Sequence, residues 1–343
     1  NVYAANKVEG TTTVTAFTAS AGSYITTTNS YWTKTLSGQT TGGTGALKSI
    51  SALSKQAGYT SWDFDTIWGI DEGKSMAYLR GLPIPETLYD AVANYNSLEG
   101  TGTADDPYVI KTVEDLKGVM DDPAAYYILA NNLDLSSEAN WTPIGSSATA
   151  FTGNFNGQGY TIKNMKINST AGNLGLFGYT HGATISNLML TDYEITGSGN
   201  NIGSLAGYAG TGTISNVYAK GKITVTAATS NIGGLIGNKY LGTVTKCLTE
   251  GTIEALDYGT YVGGITGYHK GEKSANRANL KNSYSTMLVK GKSNVAGISG
   301  YIANINITNV YAANKVEGTT TVTALAASIG SYITTTNSYW TKT

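Results

Sequence analysis

The phrases LGLFGY (174–179), IGSLAGY (202–208), IGGLIGN (232–238), VGGITGY (262–268) and VAGISGY (295–301) decide how this chain reads. Their closing glycines, Gly178, Gly207, Gly237, Gly267 and Gly300, follow at intervals of 29, 30, 30 and 33 residues. A near-constant period of that length marks stacked repeats, none of which can bury its apolar face alone. Other residues keep the same step. Asn187 and Asn216 stand nine residues past their glycine, Lys246 takes that place once, and Asn282, Asn309 and Asn337 fill it later. Two residues further on come Tyr218, Tyr284, Tyr311 and Tyr339, with Met189 and Leu248 as exceptions; two residues before stand Ile185, Ile214, Val244, Leu280 and Ile307. Tyr179, Tyr208, Asn238, Tyr268 and Tyr301 follow the glycines directly.

Equivalent residues one period apart stack above one another in a parallel β-helix, so these series predict Asn and Tyr ladders running between coils of about 30 residues. The glycines mark places where the backbone turns with φ > 0 or where backbone layers approach closely. Composition agrees with an all-β solenoid. Only 13% of residues are charged, 41% are apolar and 43 are glycine, which is too apolar for a disordered chain and too rich in Gly, Thr and Asn for a helical one. All five prolines lie between 83 and 143, leaving the repeat body free of residues that cannot donate to a sheet ladder. No apolar run approaches the ~20 residues of a membrane span. The single cysteine, Cys247, excludes an intrachain disulfide framework and a cysteine-based zinc site. It sits in the column of Leu188, Val217 and Val310, an inward apolar place.

The two ends repeat each other. Residues 1–35 recur at 309–343, offset by 308, and differ only at Phe17/Leu325, Thr18/Ala326 and Ala21/Ile329. This duplication implies a tandem array of about 308-residue units, with a segment like 36 onward expected after Thr343. Residues 1–80 then form the last coil and closing cap of one unit, and 81–100 a linker with a short helix near 86–94. Residues 101–164 form the opening cap and first coils of the next unit, and 165–343 its body. Within the cap, Leu47, Ile50 and Leu53 predict an amphipathic helix over 46–58. Trp62, Phe64, Ile67 and Trp68 predict an aromatic strand pair over 60–83 that covers an open solenoid end. Thr112 with Asp115 predicts a capping box opening a short helix.

Chemistry is harder to find. Residues 36–164 carry a net charge of −8 and residues 165–343 of +6, which suits either end-to-end contact or two differently solvated surfaces. No Lys/Arg stripe points to nucleic acid. One coil is irregular: between Gly267 and Asn282 six extra residues enter YHKGEKSANRAN. His269, Lys270, Glu272, Lys273 and Arg277 are therefore the candidate binding loop, with a tolerated surface insertion as the alternative. Parallel β-helices also host carbohydrate enzymes, whose chemistry requires paired carboxylates about 5–9.5 Å apart. Asp192 and Glu194 share a strand face; Glu250 and Glu254 invite ion pairing across coils instead. Asp105–Asp106 and Asp121–Asp122 read as turn residues rather than a cation site, and His181 and His269 as solvated turn residues. No catalytic, cofactor or metal residue is assigned.

The Gly-apolar phrases, each followed by text such as TISNL, TISNV and TVTKC, resemble the GLUG-motif repeats of bacterial surface proteins. GTGTADDPYVI, the LDLS…WTPIG run and FTGNFNGQGYTIKNMKI look like the lead-in to such a solenoid. SWDFDTIWGIDEGKSMAYLRGLP looks like its closing segment. The resemblance covers nearly the whole chain outside 84–100. It implies a right-handed parallel β-helix on secreted or surface-anchored proteins, in adhesins or stalks. Its partners would be neighbouring tandem units and a host or glycan ligand. The motif is structural and transfers no catalytic residue.

Overall fold

Each coil turns at residues held in the left-handed backbone region. Asn187, Asn216, Lys246, Asn282, Asn309 and Asn337 have φ between 44° and 55°, a region asparagine tolerates better than most residues. A second corner precedes each glycine phrase, at Asn173, Asn201, Asn231, Tyr261 and Asn294, with φ between 52° and 64°. The computed structural model describes residues 3–4, 29–32, 46–47, 50–86, 88–89, 98–273 and 275–341. These fall into two compact units, Asn1–Tyr108 with Gly118–Asp122, and Val109–Lys117 with Pro123–Thr343.

The second unit is a parallel β-solenoid. Phe177–Thr180, Ala206–Ala209, Ile236–Tyr240, Thr266–Lys270, Ser299–Ala303 and Ala326–Ile329 form one six-stranded sheet, each strand pairing with the next. Longer strands such as Thr184–Gly197, Thr213–Val225 and Leu248–Gly263 run through the corners into a second parallel sheet. The expected columns are present: Ile185 pairs with Ile214, then Val244, Leu280 and Ile307. All five are buried, and this repeated layer is the apolar interior that holds the coils together.

The glycines of the phrase are there for close approach rather than for φ > 0. A Cβ built on Gly207 would lie 2.3 Å from Asn173 carbons, one on Gly267 2.3 Å from the Ile232 nitrogen, and one on Gly300 2.2 Å from the Tyr261 carbonyl carbon. In each case the strand crosses directly over the corner of the preceding coil.

Irregular coils keep the register. Thr213 pairs with Thr243, 30 residues on, whereas Thr243 pairs with Asn279, 36 residues on. The six-residue insertion is therefore expelled from the ladder. A second bulge, missed in the sequence, lies at Leu256–Tyr258, where the register shifts between Ala255 and Thr260.

At the start of this unit the capping box forms as expected. The Asp115 N–H donates to Thr112 Oγ1 at 3.1 Å and the Thr112 N–H to Asp115 Oδ2 at 2.9 Å, opening helix Val113–Lys117. Tyr126–Leu129 and Asn154–Asn156 pair in parallel, and Phe151, Phe155 and Phe177 pack with ring centroids 5.1 and 5.4 Å apart.

In the first unit, Tyr3–Ala4, Tyr31–Trp32 and Ala46–Leu47 form a parallel three-stranded sheet. The helix expected over 46–58 is corrected by this pairing. Ala46–Leu47 joins the sheet, and only Ile50–Leu53 is α-helical, followed by a 3₁₀ turn at Gln56–Gly58. Sheet pairing with Tyr31–Trp32 overrides a weak local helix preference. The aromatic strand pair is also shorter than expected, Trp68–Gly69 against Tyr78–Leu79, with Ile67 half exposed. Trp62 and Phe64 are buried in turns, against Tyr31, Tyr59, Ile50, Leu53 and Met76. The expected helix at 86–94 lies largely outside the described residues.

Candidate functional site

The candidate loop separates into three environments. Lys270 ends strand Thr266–Lys270 and is half-buried; Glu272 and Lys273 are exposed; Arg277 is half-buried at the loop's exit. The turn closes through the Glu272 N–H to the Asn276 carbonyl (3.1 Å) and the Asn276 N–H to the Lys273 carbonyl (3.0 Å). Asn304 braces it from the next coil, donating to the Gly271 and Glu272 carbonyls at 3.3 Å. Arg277 reaches Asn306 Oδ1 at 3.2 Å and Thr334 Oγ1 at 2.7 Å, so its guanidinium is engaged by two later coils. The exposed part of the loop is small.

His269 corrects the sequence reading. It is fully buried, not a solvated loop residue, because it falls on an inward position of the six-stranded sheet. Register places it in the column Thr180, Ala209, Lys239, His269, Ile302 and Ile329. Neither His269 ring nitrogen has a hydrogen-bond partner among the described residues. Burial, reinforced by the neighbouring Lys239 charge, pulls its pKa down to about 3. Lys239 is 1% exposed, its ammonium donates to the Gly210 carbonyl, and burial lowers its pKa to about 7. Lys239 escaped the sequence reading although the phrase IGGLIGNKY places it one residue beyond the Tyr column. His181 is exposed in its turn, as expected.

The Asn and Tyr series become physical ladders. Asn187 Nδ2 donates to Asn156 Oδ1 (3.0 Å), Asn216 to Asn187 (2.8 Å) and Asn309 to Asn282 (3.0 Å). Tyr179 stacks on Tyr208 and Tyr268 on Tyr301, both at 4.3 Å, while Tyr284 stacks on Tyr311 at 4.6 Å. The second corner carries another Asn ladder, missed in the sequence: Asn201 to Asn173 and Asn231 to Asn201, both at 2.8 Å. The signal was the asparagine immediately before four of the five glycine phrases, Tyr261 being the exception. Cys247 lies in the core, its thiol pushed up to about 12 by burial.

Three carboxylates of the body, Glu250, Glu254 and Glu317, are held by lysines. Glu250 takes Lys220 at 2.8 Å and the Tyr218 hydroxyl at 2.7 Å, which hold it below the usual carboxylate range. Glu254 meets Lys290 at 3.2 Å, and Glu317, lowered by its partner, meets Lys315 at 2.7 Å. A general acid needs the opposite shift. Asp192 and Glu194 do share an open cleft of about 480 Å³ with Lys166, Lys222, Ser136 and Asn164. Glu194 lies in register between Lys166 and Lys222 of the flanking coils. Asp106 occupies a turn closed through Thr101 and Thr103. Among the described residues, no three His, Cys, Asp or Glu side chains converge as metal ligands, and no helix is long and apolar enough to cross a membrane.

Comparison with known proteins identifies a motif within the solenoid. The GLUG motif matches residues 198–226, which span the IGSLAGY phrase and the strand Thr213–Val225. Halomucin of Haloquadratum walsbyi is 38% identical over 139 residues, 36% of this chain and 2% of that protein. A protein of Evansella cellulosilytica, named as a Gly-rich membrane protein, is 36% identical over 129 residues, 34% of this chain and 15% of its own length. The chain thus matches only a small part of these relatives, neither of which is named as an enzyme. A crystal structure from Bacteroides ovatus, titled as an immunoglobulin A1 protease, shares the fold with a TM-score of 0.50. That likeness covers 70% of this chain and 77% of the other at 19% identity, and it speaks to fold alone. Periodic columns and corner asparagines make the second unit a parallel β-solenoid, and one of its coils carries the GLUG motif.

Proposed function

We propose that this chain is a non-enzymatic section of an extracellular stalk or filament, assembled from tandem units of about 308 residues. The observation that carries this reading is the unbroken register of the six-stranded sheet, reinforced by Asn, Tyr and ion-pair links between neighbouring coils. Such a body transmits force through stacked backbone hydrogen bonds and an apolar interior, and its length is set by coil number. The names of the two relatives support a cell-surface setting. Neighbouring units of the same array are the first partners. A host or glycan ligand would meet the body at Lys270, Glu272, Lys273 and Arg277.

The second reading is a glycan-binding or carbohydrate-active β-helix, favoured by the cleft that holds Asp192 and Glu194. Incubating the protein with a panel of polysaccharides and probing a glycan array separates the two. The structural reading expects no depolymerised product. Any array signal should fall when Lys270, Lys273 and Arg277 are changed together to Ala. Release of oligosaccharides that is lost in Asp192→Asn or Glu194→Gln would sink the non-enzymatic reading. Array binding untouched by the triple substitution removes the loop as the binding surface.

A further inference from the structure

The internal duplication sets one sequence in two environments, and the difference identifies an interaction surface. Tyr31 and Trp32 in the first unit correspond to Tyr339 and Trp340 in the second. The local backbone is the same in both. Tyr3 pairs with Tyr31 and Ala4 with Trp32, as Tyr311 pairs with Tyr339 and Ala312 with Trp340. The corner before each pair is also left-handed, with φ 50° at Asn29 and 44° at Asn337.

Burial differs sharply. Tyr31 and Trp32 are 4% and 5% exposed, whereas Tyr339 and Trp340 are 65% and 60% exposed. Ile329 and Tyr332, on the same terminal coil, are 66% and 60% exposed. In the first unit the covering is visible. Ala46–Leu47 adds a third strand, the Thr60 N–H donates to the Tyr31 hydroxyl (3.0 Å), and Trp62 Nε1 donates to the Asn29 carbonyl (2.7 Å). Tyr59 and Trp62 pack on Tyr31 with centroids 5.9 and 6.0 Å away.

We propose that the face formed by Tyr339, Trp340 and their coil is a docking surface for another copy of the capping segment 46–80, which closes this unit in the tandem array just as 46–80 closes the unit before it. The same strand addition and the same two hydrogen bonds would form, to Tyr339 and to the Asn337 carbonyl. Exposed aromatic surface on an open strand edge is otherwise a liability for uncontrolled pairing. This inference rests on the tandem part of the proposed function and is independent of location or mechanical role.

The test extends the full chain after Thr343 with a second copy of residues 36–86 and follows limited proteolysis of that extension. Docking predicts a protected extension whose protection falls by about a hundredfold on Trp340→Ala, the scale of deleting a buried tryptophan side chain. Trp340→Phe should restore part of it. In the 343-residue chain Trp340→Ala should leave the protection of the solenoid body nearly unchanged, since the side chain is exposed there. An extension cleaved as fast as an unfolded linker, or equally fast with and without the substitution, overturns the proposal. Either failure could occur in an array that is still elongated, so it is distinguishable from failure of the stalk reading.

Discussion

Replacing Gly267 by alanine is expected to destabilise the solenoid body by about 3 kcal/mol, the upper end of the usual overpacking cost, because the atoms it meets cannot yield. The added Cβ would lie 2.3 Å from the Ile232 nitrogen and 2.4 Å from the Asn231 carbonyl carbon. Both are backbone atoms of a corner that is itself pinned. Asn231 has φ 64° and donates to Asn201 at 2.8 Å, so it cannot retreat without breaking the second Asn ladder. Denaturant unfolding of the variant measures the cost. A loss below about 1 kcal/mol would mean that the coils relax freely, and that the glycine column is not set by close backbone approach. Gly182→Ala is a useful comparison, because its strain comes from φ 75° with only Thr211 Oγ1 near, at 3.9 Å. A cost of only about 1 kcal/mol is expected there.

Lys239 should make the protein more stable in mild alkali than at neutral pH. Its pKa falls from 10.5 in the unfolded chain to about 7 in the folded one. Between those values the unfolded state binds the extra proton, so stability rises with pH from about 7 to about 10. At pH 7 the buried amine costs about 4 kcal/mol relative to an unshifted lysine. His269 acts lower down. With its folded pKa near 3 against 6.5 unfolded, its contribution is full above 6.5 and is lost as pH falls towards 3. Above about pH 10 the buried tyrosines, such as Tyr193, have raised folded values, so stability is lost again as pH rises. Lys239→Met should therefore stabilise the fold at pH 7 by about 2–4 kcal/mol and flatten the limb between pH 7 and 10. The other groups facing Lys239 are His269 on the next coil and the Gly210 carbonyl; His181 lies behind Gly210. A variant no more stable at pH 7, with the alkaline limb intact, would show that the amine reaches solvent.

Most of the solenoid was legible because its architecture is written as a period. A column such as Ile185, Ile214, Val244, Leu280, Ile307 needs only equal spacing to be seen, and pairing then places it inside. The corner asparagines were visible for the same reason, although their left-handed φ was not. Residues that break the period were misread. His269 looked like loop because it adjoins an insertion, yet strand register carries it one residue further inward than the insertion begins. Lys239 was passed over because a lysine in a polar stretch normally faces water. The shift at Leu256–Tyr258 escaped because the next coil lacks three matching residues between Gly291 and Ser293, so its six-residue insertion leaves a glycine interval of 33 rather than 36. In the first unit, Ala46–Leu47 has helical spacing with Ile50, and only its partner strand reveals the sheet.

In the proposed stalk this unit supplies length rather than chemistry. Arrays of one, two and three 308-residue repeats, imaged by electron microscopy, test it most directly. With coils rising ~4.8 Å each, the account predicts particles of constant width whose length grows by the same increment with every added unit. Rounded particles that widen as units are added would contradict it.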